Sequence, residues 1–433
     1  MARIYTSEIP LHVGQSIELS GWLHRLRQLR NVTFLILRDR AGLAQIVVED
    51  EATIQMLNAL HMESVLSVRG MVIAAEQAPG GVEIHDPQIQ VLSPALVPPV
   101  FDLFRPTLKA QLPTILDNAS IALRHPRYGA SWKIAASAMA GFRQTLTCEN
   151  FTEIQTPKIV PSATESGSNV FQIDYFGTPA YLAQSPQFYK QIMVGVYERV
   201  FEVGPVFRAE PHATARHLAQ YTSLDAEMGF IEDHHTVMQM LTRVLAGMIE
   251  RICHDREHEI ALLGLELPCV PDVIPSVHFT EAQEMYYQAT GEDMRQEPDL
   301  SPGQERWLGA WAQQEHGSAF LFVTGYPMVK RPFYTHPDPQ RPMYANGFDL
   351  LFNGLELVTG GQRLHRYEDY LAALQQRGLD PQPFQDYLAV FKYGMPPHGG
   401  FAIGLERFVA QLTGAQNVRE VALFPRDMTR LVP

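Results

Sequence analysis

The sequence predicts an α/β chain of the α+β type, in which a small β-barrel precedes a larger domain of mixed strands and helices. Three observations support this fold class. The first hundred residues contain five short runs rich in apolar and β-branched residues, a proline-rich stretch follows them, and the rest alternates strand-like with helix-like segments. At 433 residues, the chain is long enough for one small and one large hydrophobic core.

Five predicted strands make up the N-terminal part of the chain. They are IELSGWL (17–23), VTFLILR (32–38), LAQIVV (43–48), SVLSVRGMV (64–72) and VEIHDPQIQVL (82–92). Turn residues separate the strands, as at Pro79-Gly80-Gly81, and the segment 51–60 between the third and fourth strands has the composition of a helix. Five strands with a helix in that place fit an OB-fold, a barrel that commonly binds nucleic acids.

A run of prolines follows the barrel region and indicates a linker. These prolines are Pro94, Pro98, Pro99, Pro106 and Pro113. Beyond them, apolar residues recur at helical spacing over 130–148, and two further helices are predicted at about 234–252 and 281–290. The sequence therefore predicts an N-terminal domain over 1–103, a hinge or linker over 104–128 and a large domain over 129–433.

The chain is acidic, with a formal net charge of −13, which argues against indiscriminate nucleic-acid binding. Residues 22–40 differ, because five arginines stand against the single Asp39 and give a local charge of +4. This patch is either a solvated face or a contact for a nucleic acid.

The composition also bears on where the protein works. Apolar runs stay shorter than the ~20 residues of a membrane span, and the N-terminal MARIYTSEIP lacks a signal-peptide core. Cys148, Cys253 and Cys269 are too far apart for a disulfide framework or a zinc site. We expect a cytoplasmic protein without a membrane partner.

Two segments of the large domain alternate between apolar and polar residues, as strands with one buried face do. In 199–208, Phe201, Val203 and Phe207 oppose Glu202, Gly204 and Arg208; in 224–230, Leu224, Ala226, Met228 and Phe230 oppose Asp225 and Glu227. The polar surface would gather Arg208, Glu210, Arg216, His217, Asp225 and Glu227. A solvated strand face is the alternative for any single charge.

Near the C-terminus, GGFAIGLERFVAQL (399–412) predicts a strand that leads into a helix. Leu405, Phe408, Val409 and Leu412 form the buried stripe of that helix, and Arg407 lies off the stripe in the first turn. The partial positive charge of a helix N-terminus, together with this arginine, favours an anion there.

Taken in order, these motifs resemble those of the class II aminoacyl-tRNA synthetases. FTEIQTPKI (151–159), with Pro157, resembles motif 1, VFRAE…RH…LDAE (206–227) resembles motif 2, and GFAIGLER (400–407) resembles motif 3. ATESGSNVF (163–171) and LAQSPQFYKQ (182–191) are similar to the aspartate subgroup. The resemblance implies an anticodon-binding OB-fold, a catalytic domain with an antiparallel sheet flanked by helices, and a homodimer with Pro157 at its interface. The short spacing between motifs 2 and 3 resembles the archaeal and eukaryotic type.

The resemblance implies an ATP-dependent ligase that joins an amino acid to AMP and then transfers it to tRNA. Arg208 and Arg407 match the catalytic arginines. The residues that match the ATP-binding set are Arg208, Glu210, His217, Leu218, Tyr221, Glu356, Gly404 and Arg407. Glu356 and Thr359 match the ligands of Mg²⁺, a hard cation that prefers oxygen.

The same resemblance implies that L-aspartate is the amino acid. The matching residues are Glu165, Ser166, Gln187, Lys190, Asp225, Glu227, Thr359 and Arg363. Asp225 and Glu227 are expected to hold the α-ammonium group, and Lys190 with Arg363 to clamp the side-chain carboxylate. One opposed pair at about 4 Å is worth about 4 kcal/mol at an effective dielectric constant of about 20, and asparagine forfeits most of it. The alternatives are a surface position for Lys190 and an asparaginyl or lysyl enzyme.

In the barrel, the resemblance implies contacts with the tRNA anticodon by His24, Arg27, Phe34, Gln45 and Pro79. An aromatic ring beside arginines is how proteins usually hold single-stranded RNA, although core packing is the alternative for Phe34. His24 and Pro79 resemble the non-discriminating subgroup, which charges tRNA(Asp) and tRNA(Asn) and needs a separate amidotransferase for the second product. The alternative for the whole chain is a synthetase-like RNA-binding regulator without activity. Such relatives typically lose the arginines that match Arg208 and Arg407.

Overall fold

The computed structural model describes residues 3–29, 32–161, 170–211 and 214–432, apart from the side chain of Pro79. The chain divides into two compact units, Met1–Pro126 and Arg127–Pro433. This boundary groups residues 104–126 with the first unit, and the division at residues 103 and 128 stays a prediction. Among the described helices, none combines the length and the apolar character that crossing a bilayer requires.

A closed five-stranded barrel forms the first unit, as the sequence predicted. Its strands are β1 (Ser16–Leu29), β2 (Val32–Arg38), β3 (Leu43–Val48), β4 (Val65–Ala74) and β5 (Val82–Ser93), in the order β1-β2-β3-β5-β4 around the barrel. The predicted helix is α1 (Glu51–Asn58), which the Asp50 carboxylate caps by accepting from the Thr53 backbone N–H. The helices α2 (Leu112–Asp117) and α3 (Ala119–Ala122) and the 3-10 helices Thr6–His12 and Pro79–Gly81 also belong to this unit.

The first strand is longer than predicted because it serves two neighbours. It pairs with β4 up to Trp22 and with β2 from Trp22 to Leu29, and a bulge lies between Leu23 and Arg25. A bulge bends a strand, so that one continuous strand reaches both partners. Polar and charged residues dominate after Leu23, and an apolar pattern therefore underestimated its length.

The second unit is built on two sheets. Its strands are β6 (Thr152–Glu153), β7 (Ile159–Val160), β8 (Gln172–Tyr175), β9 (Thr178–Leu182), β10 (Arg199–Phe207), β11 (Gln220–Gly229), β12 (Ser276–His278), β13 (Phe320–Thr324), β14 (Gly347–Phe352), β15 (Leu355–Arg363) and β16 (His398–Gly404). The large sheet has the order β12-β13-β14-β15-β16-β11-β10-β6, and the small one β7-β9-β8. The large sheet is antiparallel except at its two edge strands, β12 and β6, which run parallel to their neighbours.

Helices flank the large sheet and include the three predicted over 130–148, 234–252 and 281–290 as well as the one predicted after the strand in 399–412. They are α4 (Pro126–Cys148), α5 (Gln187–Tyr197), α6 (His234–Asp255), α7 (Glu257–Leu263), α8 (Phe279–Thr290), α9 (Pro302–His316), α10 (Tyr367–Gln376), α11 (Gln385–Ala389) and α12 (Leu405–Thr413). Four 3-10 helices are Met328–Lys330, Gln382–Phe384, Val390–Tyr393 and Val418–Glu420. The first three predicted helices correspond to α4, α6 and α8, with ends that differ by a few residues, and the fourth corresponds to α12.

The main hydrophobic core lies between one face of the large sheet and the helices α4, α6 and α12. Leu224, Ala226 and Met228 of β11 belong to this core, as their alternation predicted. Phe230 does not, which corrects the prediction for that residue. The strand ends at Gly229, and Phe230 follows with a positive φ of 56° and a side chain 70% exposed. The opposite face of β11 is left for polar residues.

Two glycines allow α4 and α6 to cross closely under the sheet. A Cβ atom on Gly141 would lie 2.7 Å from both the Gly247 carbonyl oxygen and the Met248 Cα atom. A Cβ atom on Gly247 would collide with the Thr145 hydroxyl group. The crossing therefore depends on the absence of side chains at both positions.

We expect Gly141→Ala to lower the free energy of unfolding by about 1–3 kcal/mol, because the added methyl group forces two packed helices apart. Gly303→Ala is the matched control, since a Cβ atom on that α9 glycine would meet its nearest neighbours at 3.6 Å. The control is expected to be neutral or stabilising by up to about 1 kcal/mol. Denaturant unfolding followed by far-UV circular dichroism measures both, and equal stabilities of the two variants would contradict the close crossing.

Candidate active site

An open cavity of about 790 Å³ lies at one end of β11, β15 and β16. All eight residues predicted to bind ATP line it: Arg208, Glu210, His217, Leu218, Tyr221, Glu356, Gly404 and Arg407. Arg216, Ser223, Thr359 and Glu406 also line the cavity. The fold therefore brings together residues that three separate segments of the sequence supply.

On the motif 2 side of the cavity, charged groups contact one another, and one of them lies near an aromatic ring. Arg208 Nη1 lies 3.8 Å from Glu210 Oε1, and His217 Nε2 lies 3.3 Å from Glu210 Oε2. The Arg208 guanidinium carbon lies 5.6 Å from the centre of the Tyr221 ring. An arginine and an aromatic face side by side suit a ligand that combines phosphate with a flat base.

The motif 3 side of the cavity is the beginning of α12. Gly404 caps this helix, and Arg407 lies in its first turn. Arg407 donates from Nε to the Arg216 carbonyl oxygen and from Nη1 to the Glu356 carbonyl oxygen, both at 3.4 Å. A guanidinium group and the N-terminus of a helix both favour negative charge in the cavity.

Glu356 and Thr359 lie together on β15, where Thr359 Oγ1 donates to Glu356 Oε1 at 3.1 Å. Burial and the nearby Asp349 raise the pKa of the Glu356 carboxyl group. Asp349 accepts two hydrogen bonds of 3.0 Å from Arg331. A carboxyl group beside another negative charge gains from a bound dication, and carboxylate and hydroxyl oxygens are ligands that Mg²⁺ accepts.

A second cavity, of about 800 Å³, continues from the first one. The two share Arg208, Tyr221, Ser223, Thr359 and Ala402. Five of the residues predicted to bind aspartate line it: Gln187, Lys190, Asp225, Thr359 and Arg363. Glu165 and Ser166 lie outside the described residues, and Glu227 lies behind the wall of the cavity.

A cluster of four buried charges lies at the floor of this second cavity, where Lys190, Asp225 and Arg363 line the cavity and Glu227 lies behind them. Lys190 Nζ lies 3.0 Å from Asp225 Oδ1 and 3.2 Å from Glu227 Oε2, and Arg363 Nε donates to Glu227 Oε1 at 3.0 Å. Lys190 is only 2% exposed, which excludes a position on the helix surface. Because isolated charges are costly to bury, the two cations and two carboxylates depend on one another.

The position of Glu227 differs from the one predicted for it. Its side chain is 0% exposed and contacts Lys190 and Arg363, whereas a group that binds a substrate ammonium ion must face the cavity. Gly400, its partner on β16, makes this possible, because a Cβ atom there would collide with the Glu227 carboxylate. Burial opposes its ionisation, but Arg363 and Lys190 hold the pKa of Glu227 below its usual range. Glu227 is therefore the counter-ion of the two cations.

Gln187 and Tyr334 border the same floor. Gln187 Oε1 accepts from Arg363 Nη2 at 3.4 Å, and its amide nitrogen has no hydrogen-bond partner within the part of the chain that the structure describes. The Arg363 guanidinium carbon lies 5.5 Å from the centre of the Tyr334 ring. The Gln187 amide therefore retains hydrogen-bonding capacity for a polar ligand.

In the barrel unit, His24 is buried instead of presenting its ring to a base. It is 5% exposed, its ring centre lies 5.6 Å from that of Phe104, and Nδ1 lies 3.8 Å from Glu63 Oε1. Glu63 in turn pairs with Arg38 at 2.7 Å and Arg124 at 3.0 Å. We therefore revise the predicted direct contact of His24 with the anticodon to a position that supports β1 from behind.

Arg27 and Phe34 are opposite each other on β1 and β2. Arg27 is exposed and Phe34 is half-buried. The neighbouring Leu35 belongs to the barrel core, so the alternation along β2 directs Phe34 to the outer face. This arrangement argues against core packing as the role of Phe34.

The other two predicted anticodon residues lie on nearby strands and turns. Gln45, on β3, is 9% exposed, and its amide group donates to Glu83 Oε1 at 2.6 Å. Pro79 begins the 3-10 helix Pro79–Gly81, which connects β4 with β5. A base that bonds to Gln45 would have to share or replace its bond to Glu83.

Two family descriptions match the chain. "OB-fold nucleic acid binding domain" matches residues 17–92, and "tRNA synthetases class II (D, K and N)" matches residues 111–428. The chain belongs to the class II tRNA synthetases of the D, K and N group. The motif-based expectation of an aminoacyl-tRNA synthetase with an OB-fold domain is confirmed.

The synthetase is similar along its whole length to named relatives. It is 47% identical to the Aspartate--tRNA(Asp/Asn) ligase of Thermus thermophilus, covering 100% of both chains, and 44% identical to that of Deinococcus radiodurans, covering 100% and 99%. Among solved structures, asparaginyl-tRNA synthetase from Pyrococcus horikoshii with asparaginyl-adenylate gives a TM-score of 0.93 at 30% identity, covering 100% of both chains. Aspartyl-tRNA synthetase from Entamoeba histolytica gives 0.88 at 30% identity, covering 100% and 93%. Synthetases named for asparagine and for aspartate thus share one fold, so the fold alone does not indicate the amino acid.

Ser223 and Glu406 are among the residues of the synthetase's site that escaped the sequence prediction. Ser223 lines both cavities and donates to Asp225 Oδ2 at 2.5 Å; extending the β11 alternation by one more alternate residue would have included it. Glu406 is buried, and both of its carboxylate oxygens accept from the Thr222 backbone N–H at 3.1 Å. The burial of Glu406 was not predictable from its position, because an acidic residue in the first turn of a helix is usually solvated there.

Burial raises the pKa of Glu406 to about 7. An acid with a higher pKa in the folded state binds more protons when folded, so its contribution to stability is complete below the ordinary pKa of 4.5 and is lost as the pH rises through about 7. We expect the free energy of unfolding of the wild type to fall over this interval by on the order of 3 kcal/mol more than that of Glu406→Gln. Urea unfolding from pH 4.5 to pH 8 measures the difference, and parallel profiles would refute it.

Proposed function

We propose that the synthetase activates L-aspartate with ATP and transfers it to tRNA(Asp) and tRNA(Asn). The observation that carries this proposal is the pair of buried cations, Lys190 and Arg363, at the floor of a cavity that opens into the predicted ATP cavity. An oxygen of the aspartate α-carboxylate attacks the α-phosphorus of ATP, and the bond to pyrophosphate breaks. A ribose hydroxyl group at the 3′ end of the tRNA then attacks the acyl carbon, and AMP leaves.

Positioning and charge account for the chemistry of the first step. Arg208 lines both cavities, so its guanidinium group can contact the aspartate α-carboxylate and the α-phosphate together. Arg407 and His217 bind the outer phosphates, and Glu210 and Tyr221 bind the adenine. Glu406, neutral below pH about 7, adds little negative charge to a wall that faces a polyanion.

Glu356 and Thr359 would hold Mg²⁺ against the phosphates. Their bonded oxygens and the raised pKa of Glu356 support this role. The ion supplies charge neutralisation for the phosphate groups. Calorimetric titration of the ATP-saturated protein with Mg²⁺ tests the assignment, because Glu356→Gln should weaken the ion's binding independently of any turnover.

For the amino acid, Asp225 and Gln187 contact the backbone groups of aspartate, and Lys190 with Arg363 contacts its side-chain carboxylate. All four line the second cavity. Glu165 and Ser166 keep the aspartate-binding role that the family resemblance implies for them. Glu227 takes no direct part in this scheme and keeps the two cations in place.

We expect Lys190→Met to reduce aspartate-dependent pyrophosphate exchange roughly a thousandfold, because about 4 kcal/mol of charge pairing with the substrate is lost. The variant should also lose about 3–5 kcal/mol of stability, since Asp225 and Glu227 both lose a cation that contacts them, while Arg363 pairs with Glu227. Exchange is therefore measured at a temperature where circular dichroism shows the variant folded.

Lys133→Met is the matched control for this experiment. Lys133 pairs with Glu259 at 2.7 Å, its side chain is 46% exposed, and it lines neither cavity. Its exchange rate should equal that of the wild type. Undiminished aspartate activation by folded Lys190→Met, or activation of asparagine or lysine by the wild type, would refute the substrate assignment.

The relatives named Aspartate--tRNA(Asp/Asn) ligase support the choice of two tRNAs. So do Pro79 and His24, which match the non-discriminating subgroup. The exposed Arg27 and the outward Phe34 supply the surface for the anticodon. The aspartyl-tRNA(Asn) product would require an amidotransferase.

We expect kcat/KM for the two purified tRNAs to agree within about tenfold, because an enzyme of dual specificity does not read the base at which the two anticodons differ. An enzyme that reads this base would separate the two tRNAs by about 1–3 kcal/mol. Pro79→Lys should shift the preference towards tRNA(Asp). Pro98→Lys, which adds the same charge elsewhere in the unit, should leave the ratio unchanged. A strong preference of the wild type for tRNA(Asp) would overturn the proposal of dual specificity.

We also propose a homodimer formed through motif 1. Pro157 is exposed between β6 and β7, and the neighbouring Ile159 is an apolar side chain that is 46% exposed. Burial of such residues against a second copy is a common source of dimer stability. Analytical ultracentrifugation tests this assignment.

A further inference from the structure

A group of four buried polar side chains lies next to the two cations and has no part in the proposed chemistry. Its members are Gln191, Tyr370 and His398, each 0% exposed, and Tyr387, 5% exposed. Gln191 follows Lys190 directly on α5, and His398 is the β16 partner of Arg363 on β15. The group therefore adjoins the backbone of both cations.

Hydrogen bonds join these four side chains, and Gln191 is the donor in its bonds to His398 and Tyr370. His398 Nδ1 lies 2.9 Å from the Pro396 carbonyl oxygen, so this nitrogen carries the proton and Nε2 accepts from Gln191 Nε2, also at 2.9 Å. The second amide proton of Gln191 goes to the Tyr370 hydroxyl oxygen at 3.0 Å. Gln191 therefore uses both of its donors within the group.

The two tyrosines complete the connections. The Tyr370 hydroxyl group donates to the Leu364 carbonyl oxygen at 2.8 Å, and Leu364 is the residue directly after Arg363. The Tyr387 hydroxyl oxygen lies 2.9 Å from both Gln191 Oε1 and the Tyr370 hydroxyl oxygen. A continuous chain of bonds thus runs from the residue after Lys190 to the residue after Arg363. It connects two segments that are far apart in the sequence.

The group holds together only if it is uncharged. Burial lowers the pKa of His398 to about 4, in spite of the nearby Glu227, and burial raises the pKa of both Tyr370 and Tyr387. A protonated His398 would donate from both nitrogens, and Gln191 would have to turn its oxygen towards it and release Tyr387. Because the group is neutral, the positive charges of the two cations are balanced by Asp225 and Glu227 alone among the contacts described above.

We propose that Gln191 is a positioning residue for amino-acid selection, because the group that it joins fixes the separation of Lys190 and Arg363. This inference rests on the proposed function, in which these cations clamp the aspartate carboxylate. The cations come from a helix and a strand, and a two-point clamp discriminates only while its two points keep their spacing. Glu227 joins the charged ends of the two cations, whereas the group joins the backbone segments from which they extend. Without the group, these segments can shift, and the advantage of a carboxylate over a carboxamide falls.

Gln191→Met tests the inference, because methionine has a similar volume and removes all three hydrogen bonds of the amide group. Pyrophosphate exchange gives kcat and the KM values for aspartate and ATP, and calorimetry gives the Kd values for aspartate and asparagine. We expect KM for aspartate to rise about tenfold with the KM for ATP unchanged, and the ratio of the two Kd values to fall by a similar factor. Tyr387→Phe, which removes one donor, should show a smaller change in the same direction.

Gln283→Met is the matched control. Gln283 is 3% exposed, and its amide group donates to two carbonyl oxygens, those of Met294 at 2.9 Å and Glu297 at 2.7 Å. It can lose stability, but its aspartate KM and its preference for aspartate over asparagine should match the wild type.

The outcomes separate this inference from the proposed function. If Gln191→Met and Tyr387→Phe lower the melting temperature but keep the wild-type aspartate KM and preference, the group is merely structural and the inference is overturned. If Gln191→Met does not fold, Tyr387→Phe decides alone, and an unchanged aspartate KM overturns the inference. A wild-type enzyme that exchanges pyrophosphate only with another amino acid overturns the proposed function and, with it, this inference.

Discussion

The site depends on one interaction, the buried cluster in which Lys190 and Arg363 face Asp225 and Glu227 at 3.0–3.2 Å. Two positive and two negative charges leave the cluster neutral before any ligand binds. Removing any one member would leave an uncompensated charge in a place with little access to water, which typically costs 3–5 kcal/mol. The residues that select the amino acid in the proposed function therefore also contribute to the stability of the catalytic unit. Gly400 also contributes to the cluster, because only a residue without a side chain leaves room for the Glu227 carboxylate.

Much of the fold could be predicted because it follows from local patterns, and the residues around the first cavity could be predicted because their motifs resemble those of a known family. The alternation along β11 separated Leu224, Ala226 and Met228, which enter the core, from Asp225 and Glu227 on the other face. The order of the motifs identified eight residues that the structure gathers around one cavity. The long helices were predictable from their apolar spacing. In each case, the information lies within a few turns of helix or a few residues of strand.

The remaining features depend on contacts between distant segments, which such patterns do not contain. Alternation assigns Glu227 to a face of the sheet, but it does not show how deeply the side chain is buried. That depth depends on Lys190, Arg363 and Gly400, which lie on other elements. His24 was predicted as an anticodon contact, yet Phe104 and Glu63 cover it. Similarly, Gln191 and the three side chains that it contacts come from four elements, α5, α10, α11 and β16, which carry no common motif. Polar residues at such positions give the same sequence signal whether they are buried or solvated.

Under the proposed function, the cluster also accounts for a preference for an amino acid with two carboxylates over one with a carboxamide. Lys190 donates hydrogen bonds to Asp225 Oδ1 at 3.0 Å and to the Phe401 carbonyl oxygen at 3.5 Å, and it forms an ion pair with Glu227 at 3.2 Å. In our proposal, the substrate ammonium group takes Asp225 as its partner, and Lys190 must then find another one. The side-chain carboxylate of aspartate supplies it, so that two ion pairs with the substrate replace one within the protein. Asparagine would open the same internal pair and leave Lys190 without a replacement. The discrimination therefore comes from a bond that the protein must give up as well as from the bonds that the substrate makes.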